Sequence, residues 1–242
     1  NSSDMLAADQ QEIENLLSSI DRISQNTEFG GKRLLDGSMG SSGTAVGESL
    51  SFVSAEATAS ASPEKGWEVD IQQIATRANT KGTVSIDTNN IRNGLQILLN
   101  EGGRTMSLNT TEGQLGRDIE QMLKDVEQFP LRFPSEEMAS QIRGMVVYAL
   151  NQGIAENGLK LQIMQTPENT LQVQHNNFGD SSTFSVTSSV EGILSAEANI
   201  AQTAERGKNI EGTINNQLAL GEGQYLTTLQ GMEAGGVTVK YD

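Results

Sequence analysis

The chain has 242 residues, with 31 acidic against 16 basic side chains, a net charge of −15, no cysteine and one histidine. That balance leaves no basic footprint for nucleic acid, whose phosphates are neutralised by Lys and Arg, and the missing thiols exclude disulfides, thiol catalysis and thiolate metal sites. The hydrophobic share is 36%, with 25 glycines besides; this suffices for one large domain or two small ones, and no apolar run reaches the roughly 18 residues of a membrane span.

Asn1, Ser2, Ser3 and Asp4 form a cluster of helix-capping residues without an initiator methionine, and the far end closes in the strand-like alternation Val237–Tyr241. The stretch reads as an internal part of a longer protein. From Asp4 to about Gln25 the apolar residues Leu6, Ile13, Leu16, Leu17, Ile20 and Ile23 fall on one helical face, opposite Gln11, Glu14, Ser18, Asp21 and Arg22. An isolated helix with such a stripe is marginal in water and needs a partner to cover it. Asn26 to Gly37 then reads as a helix stop with turns at Gly30-Gly31 and Asp36-Gly37, and residues 37–49 are Gly/Ser-rich, as a loop or boundary would be.

Strand-like alternation returns at Leu50–Val53, Trp67–Ile71 and Thr83–Ile86, with a small polar loop or edge strand at Ala55–Ser62. Residues 91–110 fit two templates, since Ile91, Leu95, Leu98 and Leu99 suit a helix while Gly102-Gly103 breaks it. A helix follows from about Gln114 to Gln128, before Pro130 and Pro134. Another starts at Ser135, with Glu136 and Glu137 in its first turn, and stops at Asn157-Gly158. Three strands are predicted at Leu159–Met164, Leu171–His175 and Thr183–Thr187, and two hairpins over 208–241. Met122, Met138, Met145 and Met164 occupy core positions in these patterns.

No catalytic constellation stands out. His175 lies in an alternating run and reads as a strand residue, without the positioned partner and nucleophile that imidazole catalysis needs. Phosphate loops fail as well: Gly30-Gly31-Lys32-Arg33 and Gly207-Lys208-Asn209 lack the Walker spacing, and Gly221-Glu222-Gly223 lacks the third glycine of a dinucleotide fingerprint. No cofactor or metal site is expected. The many carboxylates leave acid-catalysed glycoside hydrolysis open on composition, but no spacing selects a pair.

Two separated stretches resemble bacterial flagellin. The first runs from Glu12 through Ile20-Asp21-Arg22-Ile23 to Thr27-Glu28-Phe29-Gly30-Gly31-Lys32 and Leu35-Asp36-Gly37, and is similar to the family's inner rod helix and hairpin. The family's Asn in that hairpin is Gly30 here. The second runs from Asn209 through Gly212-Thr213-Ile214-Asn215 and Gly221-Glu222-Gly223-Gln224-Tyr225-Leu226 to Val239, and is similar to the strand and turn motif shared by flagellins and hook-associated proteins.

The resemblance implies an α+β protein: a rod segment of long amphipathic helix plus hairpin over 1–40, then a variable antiparallel-sheet outer domain with two packed helices over 41–242, its motif strands at 208–241. It implies an extracellular structural subunit of the flagellar filament, a non-enzyme, without the polymerising termini. The alternative is a hook-associated junction or cap protein, and a flagellin with an inserted glycosidase is the enzymatic variant. Implied partners are other flagellin subunits, an export chaperone, hook-associated proteins and an innate immune receptor. Glu12, Leu16, Ile20 and Ile23 mark the face that the receptor or neighbouring subunits would meet, although the family's arginine in that face is Leu16 here.

Overall fold

The computed structural model describes residues 13, 16–17, 28–29, 32–33, 42–56, 59–128 and 135–242. The long helix expected over 4–25 therefore lies outside the described residues except at Ile13, Leu16 and Leu17, which are helical and exposed. The domain boundary expected at 40/41 also lies outside them. Residues Glu28–Phe29 (β1) and Lys32–Arg33 (β2) pair antiparallel, Glu28 opposite Arg33 and Phe29 opposite Lys32, as the rod hairpin predicts.

Contacts divide the chain into two compact units. One comprises residues 1–70, 212–220 and 225–242; the other comprises 71–211 and 221–224. The first is built on a six-stranded sheet of Leu50–Ser54 (β3), Val69–Gln73 (β4), Glu211–Ile214 (β12), Gln217–Glu222 (β13), Tyr225–Thr228 (β14) and Thr238–Tyr241 (β15). Their spatial order is β3-β15-β14-β13-β12-β4. One face of this sheet is buried through Gly212, Ile214, Leu226, Thr228 and Val239, the alternation that a half-covered antiparallel sheet requires. β3 and β15 are neighbours, with Leu50 opposite Tyr241.

The second unit is a set of strands curled about one helix. Its elements are Arg77–Lys81 (β5), Thr88–Arg92 (α1), Gln96–Glu101 (β6), Arg104–Asn109 (β7), Gly113–Gln128 (α2), Ser135–Glu156 (α3), Leu161–Gln165 (β8), Leu171–Phe178 (β9), Ser185–Ser188 (β10) and Gln202–Thr203 (β11). Two sheets, β5-β9-β8 and β11-β10-β6-β7, are joined by the bridge of Asn79 with Glu205, whose N–H groups each donate to the other's carbonyl at 2.9 Å. The strands thus follow one another from β8 round to β7, and α3 packs against both ends of the series. Its Ile142, Val146, Leu150 and Ile154 are buried with Ile97, Leu99, Val173 and Val186 in one core.

Local chemistry explains most of these elements. The carboxylate of Asp87 caps α1 by accepting from the backbone N–H of Asn90 at 2.7 Å. The ambiguous stretch 91–110 resolves into the end of α1 and the β6–β7 hairpin. Leu95, Ile97 and Leu99 are buried at period two, and Gly102 and Gly103 supply the paired positive φ values (57° and 81°) that a two-residue hairpin turn needs. One expectation fails, and one strand has no signal in the sequence. Thr83–Ile86 forms no strand: the N–H groups of Thr83 and Val84 both donate to the Gly192 carbonyl, and that of Ile86 to Asn169. The polar run Arg77–Lys81 is a strand instead, because pairing with β9 buries Ala78 and Thr80. Met138 is buried and Met122 and Met145 pack against the core, but Met164 lies on the outward side of β8, half exposed.

The open side of β8 is closed by a side chain. Asn151 on α3 donates from Nδ2 to the Ile163 carbonyl at 2.8 Å, while its Oδ1 accepts from the Ile163 N–H at 3.0 Å, as a neighbouring strand would. Asn151→Ala leaves both strand groups unpaired in a partly buried place. It should cost about 1–3 kcal/mol of unfolding stability, read as a lowered urea midpoint.

Candidate functional site

The second motif stretch is where sequence pattern and structure coincide most closely. It begins at Asn209, which gathers a turn around its carboxamide. Oδ1 accepts from the N–H of Gly223 at 2.9 Å and of Asp180 at 3.4 Å, and Nδ2 donates to the Asp180 carboxylate at 2.8 Å. The Ile210 N–H donates to the Gly223 carbonyl at 2.9 Å, so the tip Gly221–Gln224 is held from both sides. A Cβ at Gly221 would stand 1.7 Å from the Ile210 carbonyl oxygen, and one at Gly179 would stand 2.4 Å from Asn209 Oδ1. Gly221 of the motif is therefore required by close backbone approach, and Gly179 leaves room for the Asn209 carboxamide.

From this anchor the chain runs into β12, where Gly212 and Ile214 are buried and Thr213 faces outward. Asn215 and Asn216 then both take positive φ (53° and 56°), which makes the two-residue turn joining β12 to β13. Asn tolerates that backbone better than other side-chain-bearing residues. The Asn215 N–H donates to the Glu68 carbonyl at 2.8 Å and its amide to Glu233 at 3.2 Å, so the last residue of Gly-Thr-Ile-Asn both turns the chain and ties it down. The site positions backbone; it presents no nucleophile beside a base.

Of the sequence-predicted face, Leu16 is helical and 57% exposed, with Ile13 and Leu17 similarly exposed. Glu12, Ile20 and Ile23 of that face lie outside the described residues.

The single histidine does have a partner, which spacing could not reveal. His175 on β9 is 2% exposed, and its Nε2 lies 3.1 Å from Glu101 Oε1 at the tip of the β6–β7 hairpin. The Asn177 N–H donates to His175 Nδ1 at 2.9 Å, which places the proton of the neutral ring on Nε2, facing the carboxylate. Glu101 also accepts from the Lys160 N–H at 2.8 Å. Burial penalises the charged carboxyl, but the Lys160 N–H, the His175 hydrogen bond and the nearby Lys160 charge more than offset it, holding Glu101 below its ordinary value of 4.5. Beside it, Arg104 donates to the Gly158 carbonyl at 2.7 Å, past the end of α3. This cluster ties the hairpin tip to the α3–β8 connection and to β9.

Unit 2 also carries two shallow clefts. One lies among Lys81, Val84, Glu191 and Gln202, the other between α1 and α2 around Ile91, Thr110 and Leu123. Among the described residues no group of three or more His, Asp or Glu is placed to hold a metal ion, and no helix is long and apolar enough to cross a membrane.

No family model and no curated protein matches the sequence. The fold is similar to solved structures of the flagellar cap protein FliD. With the D2-D3 domains from Serratia marcescens the TM-score is 0.42 at 10% identity, covering 80% of this chain and 93% of that one. With the Escherichia coli D2-D3 domains it is 0.43 at 14% identity, covering 81% and 89%. With the Escherichia coli D1-D2-D3 structure it is 0.42 at 14%, covering 81% of this chain and 49% of that one. At these identities and scores the likeness carries no function to this chain.

Two substitutions probe this packing. Gly221→Ala should destabilise by about 1–3 kcal/mol or more, because a backbone carbonyl cannot retreat from the new methyl group. Gly102→Ala, whose Cβ would meet nothing within 4 Å, should cost only the roughly 1 kcal/mol of its left-handed backbone; equal urea midpoints for the two variants would contradict this. The depressed carboxyl of Glu101 stabilises the fold fully above pH 4.5 and loses that contribution as pH falls through the folded-state value. Glu101→Gln should therefore lower the urea midpoint at pH 7 and shrink the difference between pH 7 and pH 3.

Proposed function

We propose that this chain is part of a structural protein of the bacterial flagellum, with a hook-associated junction or cap protein ahead of flagellin. The observation that carries the reading is the motif stretch 209–226, whose distinctive residues each meet a positional demand. Asn209 holds the tip, Asn215 makes the turn, and Gly221 admits a passing carbonyl. That stretch is common to both kinds of protein. The features peculiar to flagellin fall in residues 1–37, of which the described residues contain only three helical positions and the hairpin β1–β2.

The topology suits a domain that projects from an assembly. The chain enters the six-stranded sheet on β3 and leaves it on the adjacent β15, and the Asp242 N–H donates to the Ser49 carbonyl at 2.8 Å. β3 and β15 thus lie side by side, and in this reading that edge of the sheet faces the assembly. In this reading the role is structural and extracellular, without catalysis. In this reading Glu12, Leu16, Ile20 and Ile23 mark the face that meets neighbouring subunits.

Immunogold labelling with antibodies against this chain distinguishes the cases on intact cells. Label confined to filament tips or to the hook–filament junction is the expected result. Label along the whole filament would favour flagellin over the cap or junction reading, and labelled cells with unlabelled flagella would overturn the proposal. Hydrolysis of any glycan by the purified chain would overturn its non-enzymatic part.

A further inference from the structure

β9 does not run evenly beside β5. Asn79 stands opposite Gln174 and Arg77 opposite Phe178, so Ala78 alone faces His175, Asn176 and Asn177. Such a bulge breaks the strand ladder and re-aims the chain beyond it. The Asn176 N–H is taken up on the β8 side by the Lys160 carbonyl at 2.8 Å. The Asn177 N–H donates at 2.9 Å to Nδ1 of His175, so the bulge closes on its own imidazole.

The chain that leaves this bulge reaches the motif stretch at once. The Gly179 N–H donates to the Thr76 carbonyl at 2.9 Å, and the next residue, Asp180, accepts from Asn209 Nδ2 at 2.8 Å. Asn209 in turn accepts from the Gly223 N–H. Only Phe178 and Gly179 separate Asn177 from Asp180, so the shape of the bulge sets where Asp180 stands.

We infer that His175 is an acid-operated joint: a proton on its ring releases the β9 bulge and, through Asp180, loosens the Asn209 anchor of the glycine tip. A neutral imidazole has one donor and one acceptor, and both are engaged here, Nε2–H towards Glu101 and Nδ1 on the Asn177 N–H. A proton can be added only at Nδ1, where it meets the Asn177 N–H head on. Turning the ring over gives no escape, because an imidazolium has no acceptor in any orientation. The Asn177 bond is lost, while the contact with Glu101 becomes an ion pair and strengthens. The charged ring thus keeps its carboxylate and lets go of the bulge.

The surrounding charges are few. β6 contributes Glu101, and β7 contributes Arg104, whose guanidinium is turned to the Gly158 carbonyl. Lys160 precedes β8 and its charge acts on Glu101, whereas Leu161, opposite His175 on β8, is uncharged. On β5, Arg77 stacks over the Phe178 ring, 4.3 Å from its centroid. Imidazoles ordinarily take up their proton between about pH 7 and pH 5. Glu101, held below its ordinary 4.5, stays ionised throughout that range.

Because the chain has a single histidine, NMR of its labelled ring nitrogens reads one residue without ambiguity. The ring should be the Nε2–H tautomer at about pH 7 and doubly protonated at about pH 5. Over the same step, hydrogen-exchange protection of the Asn177 and Gly223 amides should fall about tenfold, the worth of one hydrogen bond. Protection of Val173, in the buried part of β9, should hold. His175→Gln cannot take up a proton and should show no such step. A ring still neutral at the lower pH, protection that survives its protonation, or a loss shared by Val173 would overturn the inference. So would the same loss in folded His175→Gln; should that variant not fold, the measurements on the parent decide.

Discussion

The second unit depends on the need of α3 to bury one face along its whole length. Met138, Ile142, Val146, Leu150 and Ile154 recur at four-residue intervals, and a stripe that long cannot be covered by one flat sheet without leaving its flanks wet. The strands answer by curling round it, each side chain worth about 1.5–3 kcal/mol when fully removed from water. Strand twist makes that curl available at little cost. The bridge of Asn79 with Glu205 allows two small sheets to act as one wrapping surface.

A wrap that does not close leaves two strand edges, and each backbone group there needs a partner if it is buried. At β8 the helix supplies it through the carboxamide of Asn151. At the β6–β7 tip, Glu101 serves the Lys160 N–H and the ring of His175, while Arg104 serves the Gly158 carbonyl. These polar contacts share a logic: groups left unpaired where the helix ends and the strands begin are taken up by side chains from the opposite element. Asn209 does the same for the glycine tip at 221–224. The burial of the helix sets the architecture, and a few satisfied polar groups determine where it stops.

How much of this could be read beforehand follows from the range of each interaction. α2 and α3 were legible because caps, apolar spacing and stop signals are local, and so was the glycine-marked tip at Gly221–Gly223; the Asn215-Asn216 turn was not, since Asn89-Asn90 is helical and Asn176-Asn177 lies in β9. β5 was illegible: Arg77-Ala78-Asn79-Thr80-Lys81 has little β character of its own and becomes a strand only when β9 pairs with it. Thr83–Ile86 failed in the opposite sense, since its alternation is genuine but its N–H groups are claimed by loops at Gly192 and Asn169. The His175–Glu101 contact joins residues 74 positions apart, a distance at which one sequence holds no register information. Within the candidate site, Asn209 was part of the quoted pattern, yet its role became visible only once Asp180 and Gly223 were beside it.

The same distinction between local and long-range information bears on the charge. Thirty-one acids say that the surface is anionic, but composition cannot say where charge is missing. Only cross-strand register shows Gln162, Gln174, Asn79, Thr203, Ser185, Asn100 and Thr105 lying on the outward faces of seven strands. Outward positions on antiparallel strands are free of packing demands, so their chemistry is set by solvent or by a ligand. Amides and hydroxyls there, flanked on β5 by Arg77 and Lys81, keep the outer face of the sheet solvated, the ordinary role of such positions.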